Sequence, residues 1–562
     1  MEPPHLRNNS EPPPAAVRPA GRPRSKDGRA ALWLGLALFF FYLLTTSGHP
    51  PYGDEKQYAN VAENILTRGR PVVKQVERGA DGRMLGLIAY SKFSLGQSLL
   101  LLPFTGIELI TRDLLPAELA FSSQLILNSL PAAESAATCA LLFLLLRLLG
   151  SFRPDLSLSR RAAAIAALAA GLATQIWPAS RTLFADNSLA LLLTFAVYAL
   201  VRFRYAGEAA GWALAAAWTA ALMVLCKNLF LLACPALAAY GVWAATQHQK
   251  ESRRTGGLAY LIVLAAVPFV LVAAVQLWHN DLRYGSIWLS GYHEGRDGEL
   301  GFSTPLLAGL YGIFFSSGRS LFLYSPPCLL AMIGARHFFR RAPAETLLVA
   351  GASLPVVLAY AKWWSWNGGW DWGARFYLFL IPLLMWLSTP VWRWIDHRSL
   401  QPAARRAFRI SFALLIAVSI YVQGLGLLIH PRAYWELMAN EVSVLEHPVY
   451  EKGLWEIRDD MLLARFVPEF SPLAAHHWLI WATWNESRLD DRALAMNSPW
   501  YSVNPKWVPR RVRPYLGFDF WFYARSTGEA GLTGFAVVTA ALLAAMAALS
   551  ILKLKSALAF RG

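Results

Sequence analysis

Two carboxylates, Asp54 and Glu55, stand side by side in Pro50-Pro51-Tyr52-Gly53-Asp54-Glu55-Lys56-Gln57-Tyr58, a few residues past the first long apolar run. A carboxylate placed there can act as a general base on a hydroxyl that must be activated for attack. It can equally cap a helix. Tyr58, Val61, Ala62, Ile65 and Leu66 repeat on one face of a helical pattern, and Gly69 is a stop signal. Residue type and spacing leave the two roles of Asp54 evenly weighted. The polar segment that carries the pair is far longer than the roughly 12–15 residues of an ordinary connector, which favours a functional loop. No cofactor is indicated; a divalent ion is compatible with Asp54 and Glu55, but two acids are too few ligands to define a site.

A second group of charges borders the apolar runs. Arg181 and Asp186 fall in the tight turn Trp177–Asn187, at the apolar edge of a span. Ionisable residues at such depth face a cavity or one another. They read either as a structural pair or as cavity groups, with Asp186 a second acid rather than the base. Lys92, Lys362 and Arg375 lie at the other polar edges. Outer loops beside spans are poor in Lys and Arg, so these residues invite explanation. Arg offers a fork and Lys a point charge to phosphate; contact with lipid headgroups is the plainer alternative. Lys362 and Arg375 flank an aromatic, glycine-rich segment whose tryptophans, Trp366 among them, form an interfacial belt or wall a sugar site.

The elements that must hold these residues are helices in a membrane. Of 562 residues, 56% are hydrophobic and only 16% charged, against roughly 45–50% and about 25% in ordinary soluble domains. Mean hydropathy is +0.36. Apolar runs at about 30–48, 119–149, 161–179, 183–203, 209–226, 228–246, 258–279, 319–336, 344–362, 375–394, 407–429 and 531–552 give roughly twelve spans of about 20 residues. The shorter run 96–111 reads as an interfacial or re-entrant helix, because charge bias puts the inner end of 119–149 beside Arg147, Arg153, Arg160 and Arg161. Both termini are then cytoplasmic. Every one of these polar loops falls on the outer face.

The net charge of +16 is spread in pairs and triplets beside spans, such as Arg340-Arg341 and Arg405-Arg406. That is not a nucleic-acid-binding face. All four cysteines (Cys139, Cys226, Cys234, Cys328) lie in apolar runs, which excludes a disulfide framework. The chain divides into a disordered cytoplasmic tail (1–29), a transmembrane module (30–430, outer loop 49–118), an outer insert (431–530), and a last span with its tail (531–562). In the insert, Asp459-Asp460, His476-His477 and Asp490-Asp491 stand out. Adjacent histidines point in different directions on a helix or strand and make a poor metal pair.

Several stretches carry a family resemblance. They are Gly53-Asp54-Glu55 with Tyr58, Tyr90-Ser91-Lys92-Phe93-Ser94-Leu95-Gly96-Gln97-Ser98, Trp177-Pro178 through Arg181 to Asp186, and Trp366-Asn367-Gly368-Gly369-Trp370-Asp371-Trp372-Gly373-Ala374-Arg375. In them the chain resembles the GT-C glycosyltransferases. It is similar in particular to bacterial relatives of the protein O-mannosyltransferases (glycosyltransferase family 39) and of the lipid A aminoarabinose transferase. The resemblance implies an all-α bundle in the plasma membrane that moves a sugar from a polyprenyl-phosphate carrier to a glycan, lipid or protein acceptor on the extracytoplasmic face. It implies Asp54 as base with Glu55 in support, and Arg181, Lys362, Arg375 and Lys92 on the carrier phosphate. Asp186, Tyr58, Trp366 and Asp371 would line the cavity. The rival reading is a transporter or lipid-linked sugar flippase. Transporters commonly show related halves, and no repeat links 30–250 with 260–552.

Overall fold

The computed structural model describes residues 25–74, 89–115, 121–206, 210–252, 257–293, 295–369, 371–396, 401–434, 464–485, 488, 490, 517–524 and 534–559. Over these residues the protein is all-α, with an isolated bridge between Lys74 and Ala89. In chain order the main helices are α1 (Ser25–Leu44), α2 (Gly53–Arg68), α3 (Gly96–Leu114), α4 (Phe121–Phe152), α5 (Arg160–Leu172) and α6 (Ala185–Ala206). Next come α7 (Ala210–Cys226), α8 (Cys234–Ser252), α9 (Gly257–Tyr284), α10 (Leu306–Phe315), α11 (Leu330–Arg341) and α12 (Pro343–Lys362). Last are α13 (Leu380–Leu387), α14 (Thr389–Asp396), α15 (Pro402–Leu428), α16 (Pro472–Asn485) and α17 (Gly534–Ala559).

Eight helices among the described residues are long and apolar enough to cross a membrane. They are α1, α4, α6, the stretch Asn228–His248, α9, α12, α15 and α17. The other four expected spans are helical but short or broken. The run 161–179 forms α5 and then a separate turn, Ile176–Ala179. The run 209–226 is the 17-residue α7. The run 319–336 breaks at Pro326-Pro327 into a 3-10 turn before α11, as expected where two ring nitrogens donate no hydrogen bond. The run 375–394 is split into the turn Arg375–Tyr377, α13 and α14. Helix α10, a short apolar helix, lies inside the segment 280–318 that was expected as an outer loop. Helix α3 is not among the spanning candidates.

Small residues bring the central helices together. Ala162, Ala163, Ala166, Ala167 and Ala170 of α5 are fully buried, which lets backbones approach closely where no water drives association. Tyr42 of α1 donates its hydroxyl proton to the Gly171 carbonyl at 2.8 Å. All four cysteines are free thiols.

Helix α2 stops at Gly69, whose φ of 66° is the left-handed region glycine favours. Its buried face contains Tyr58, Val61 and Ala62, whereas Leu66 is exposed. The Ser98 hydroxyl of α3 donates to the Tyr58 carbonyl at 3.1 Å, fixing α2 over α3. In the insert, α16 packs on α15. There His476 is buried with Nδ1 2.8 Å from the Leu425 carbonyl, while His477 is exposed beside the Tyr421 hydroxyl. The two imidazoles diverge. Asp459, Asp460 and Asp491 lie outside the described residues.

Candidate active site

The first turn of α2 carries Asp54 and Glu55. Its N-cap is Tyr52, with no side-chain capping bond. Asp54 is therefore not the cap. Its Oδ2 accepts a hydrogen bond from Nη2 of Arg375 at 3.0 Å, across 321 residues of sequence. What places Arg375 there is the turn before it. Gly368 and Gly369 sit at φ of 77° and 78°, a region L side chains rarely adopt, and the turn aims the Gly368 carbonyl at Nε of Arg375. Buried Arg319 gathers the carbonyls of Gly369, Asp371 and Gly373 from the same loop. The Arg375 guanidinium also lies 3.6 Å from the ring centroid of Phe184. Burial opposes its charge, but Asp54, Asp186 and Asp371 outweigh burial and hold its pKa above the ordinary value.

A cavity of about 190 Å³ opens beside this pair. Asp54, Tyr58, Lys92, Asp186, Lys227 and Arg375 line it, together with Phe93, Tyr292, Trp363 and Phe376. Lys227 Nζ is 3.2 Å from Asp186 Oδ1 and 4.0 Å from the Phe376 ring centroid. Two carboxylates and three cations thus share one space walled by aromatic rings. That arrangement can bind an anionic group beside a carboxylate able to take a proton.

Glu55 faces the other way. It is buried and accepts the Leu183 amide at 3.1 Å. Burial and the nearby Asp371 push its pKa up to about 8, against the opposing pull of the Leu183 amide and Arg375. Asp371 is also buried, and burial raises its pKa. Both line a separate crevice of about 30 Å³ with Arg181 and Asp519.

Four expected assignments change. Arg181 neither pairs with Asp186 nor reaches the cavity. Its guanidinium contacts the Asp519 carboxylate and donates to the carbonyls of Leu427 at 2.8 Å and Asp519 at 2.7 Å. Lys362 sits at the end of α12 and does not line the cavity. Trp366 is buried with its indole against Gly312, where a Cβ would come within 2.1 Å of the ring. It is a packing residue. Asp371 belongs to the crevice, whereas Lys92, Tyr58 and Asp186 do line the cavity.

Three groups escaped sequence reasoning. Lys227 is the cavity cation that takes the place expected for Lys362. A lysine between two apolar runs, at a turn that the charge bias assigns to the outer side, was the available signal, by the same charge rule that marked Lys92. Arg319 and Asp519 gave no local signal, since each acts on loops far away in sequence.

Among the described residues, His49, His430 and Asp519 offer ligand atoms within 4.8 Å of one another. Their chemistry fits a hydrogen-bonded knot better than an ion. Asp519 accepts from Ser47 Oγ and His49 Nδ1, each at 2.8 Å, and contacts Arg181. His430 Nδ1 accepts the Arg432 amide at 3.2 Å, which leaves the proton on its other nitrogen. Burial lowers the His430 pKa to about 3. Burial opposes ionisation of Asp519, but Arg181 and the two histidines outweigh it and hold the carboxyl well below the usual range.

The fold and the cavity define an integral, multi-pass, all-helical membrane protein with a charged cavity beside its first loop. No family model matches the chain, and no curated protein matches it in sequence. Among solved structures it is similar to ArnT from Cupriavidus metallidurans in the apo state, with a TM-score of 0.44 and 13% identity over 95% of this chain and 78% of that one. It is similar to ArnT bound to undecaprenyl phosphate, with a TM-score of 0.44 and 14% identity over 94% and 76%. It is also similar to the archaeal oligosaccharyltransferase AglB from Archaeoglobus fulgidus, in complex with an inhibitory peptide and a dolichol-phosphate. That match has a TM-score of 0.44 and 13% identity over 76% of this chain and 60% of that one.

Proposed function

We propose that the protein is a membrane glycosyltransferase that moves a sugar from a polyprenyl-phosphate carrier to an acceptor hydroxyl on the extracytoplasmic face. The observation that carries this reading is the cavity in which Asp54 and Asp186 meet Lys92, Lys227 and Arg375. Asp54 takes the proton of the acceptor hydroxyl. The acceptor oxygen then bonds to the anomeric carbon as the bond from that carbon to the phosphate oxygen breaks, with inversion. The electron pair leaves with the polyprenyl phosphate, where Arg375, Lys227 and Lys92 meet the developing charge. A phosphate leaving group needs no proton, so one base and a cationic pocket suffice. A glycosidase-like pair of carboxyls is not required. Glu55, protonated behind the base, supports the turn that carries it. The aromatic wall of Tyr58, Phe93 and Trp363 offers faces on which a pyranose can stack.

The test uses the full-length protein in lipid nanodiscs with radiolabelled polyprenyl-phosphate hexoses. Asp54→Asn should lose on the order of 10²–10⁴ in turnover, the range for a removed general base, with unchanged expression and melting temperature. Near-normal transfer by that variant would remove Asp54 from the mechanism. Saturable uptake into vesicles without any covalent transfer would replace the whole reading with a transporter.

A further inference from the structure

Helix α9 carries Arg283 in its last turn, buried at the end of a candidate span. A buried guanidinium needs partners for its charge, and one at such depth is a functional candidate by default. Two of its partners are local. Nε donates to the His279 carbonyl at 3.2 Å and Nη2 to Asn280 Oδ1 at 2.8 Å. Basic side chains often meet the last carbonyls of a helix, and a plain helix stop needs no more than this. Nη1 reaches much further. It donates to the Ser91 carbonyl at 2.8 Å and the Phe93 carbonyl at 3.0 Å, across 192 and 190 residues of sequence. These two carbonyls flank Lys92, which lines the Asp54 cavity. Among the described residues no carboxylate pairs with Arg283. Its charge is met by carbonyl and amide oxygens and by the face of the Tyr284 ring.

The segment after α9 holds Lys92 from a second side. Gly291 lies so close that a Cβ there would overlap the Lys92 backbone. Beyond Lys92, the Ser94 hydroxyl donates to Asn228 Oδ1 at 3.1 Å, beside Lys227. Gly96 leaves no room for a Cβ against the backbone of Leu225 and Cys226. The two cavity lysines therefore ride on segments locked to each other, and Arg283 pins the Lys92 end. We propose that Arg283 and Gly291 are positioning residues for the carrier phosphate, clamping the Lys92 backbone so that its ammonium is held at the cavity. The identity of that ligand rests on the transfer reading. A lysine carries its charge on a flexible four-carbon stem. Fixing the backbone beneath the stem cuts what binding must order. Arg283 itself does not line the cavity, so its effect on a phosphate passes through Lys92.

The experiment measures binding of a polyprenyl phosphate and of the matching polyprenol to full-length protein in lipid nanodiscs. Arg283→Gln should weaken the phosphate by about tenfold or more, the scale of one charged hydrogen bond, and leave the alcohol unchanged. Lys92→Met should show the same selective loss. The double variant should bind the phosphate no more weakly than Lys92→Met alone, because residues that act through one contact are not additive. A merely structural role for Arg283 would weaken both lipids alike, and that result would overturn the clamp. So would unchanged phosphate binding, or losses that multiply in the double variant, which would make Arg283 an independent phosphate ligand. Should Arg283→Gln fail to fold, Gly291→Ala displaces Lys92 from the other side and should give the same selective loss; equal binding to the unaltered protein overturns the proposal. An unaltered protein that holds both lipids equally overturns it as well, whatever sugar it transfers. Selective phosphate binding that depends on Arg283, in a protein that moves no sugar from a polyprenyl-phosphate hexose, supports the clamp and removes the transfer reading.

Discussion

Arg375 and Arg181 are both buried guanidinium groups within reach of the first loop, and they meet opposite surroundings. Arg375 shares its charge with an Asp54 side chain that is 37% exposed beside an open cavity. Arg181 is locked onto Asp519, whose side chain is 1% exposed, and onto two backbone carbonyls. The first can exchange its partner for a ligand's anion. The second cannot do so without leaving a buried carboxylate bare. Burial alone therefore does not make an arginine functional; what decides is whether its partner can be given up.

The largest effect expected from this contrast is on stability. Arg181→Met strands Asp519, and breaking a buried pair from one side costs about 3–5 kcal/mol. A steep fall in melting temperature should follow, with turnover per folded molecule retained. Arg181→Met combined with Asp519→Leu should recover much of the loss. A stable single variant with no activity would reverse the roles of the two arginines.

Next comes Arg375→Gln, which should keep the fold but lose on the order of 10²–10³ in turnover, the scale of a removed charge-stabilising donor. A melting loss equal to that of Arg181→Met would erase the distinction. A smaller step separates the two lysines. Lys227→Met should reduce transfer by about tenfold or more, as for a lost charged hydrogen bond, while Lys362→Met leaves it near normal. Equal effects on carrier KM would restore Lys362 to the site.

The remaining effect is in pH dependence. Glu55 holds its proton to about pH 8 in the folded chain, against an ordinary value of 4.5. Its contribution to stability is whole below about 4.5 and is lost as pH rises toward 8. Glu55→Gln cannot ionise, so its melting temperature should fall less between those two pH values. Identical slopes for both proteins would mean that Glu55 ionises freely.

Much of the frame was legible beforehand because run length and charge bias are local properties. All twelve expected runs are helical, α2 ends at Gly69, and Lys92, Tyr58 and Asp186 line one cavity with Asp54. The breaks at Pro326-Pro327 and around Ser388 shortened spans that hydropathy drew as continuous. The neighbours of Asp54 allow a helix cap, and nothing nearby in sequence shows that Arg375 claims its oxygen. Lys227 was readable by the rule that found Lys92.

The sequence by itself determined a helical membrane protein with its unusual polar groups gathered at one set of loops, since apolar length and residue type need no partner to be read. Only the tertiary structure decided which charges face a cavity. Arg181 meets Asp519 across 338 residues and Arg375 meets Asp54 across 321. At such separations the pairing is set by how the helices pack, and one arginine becomes a strut while the other stays open to a ligand.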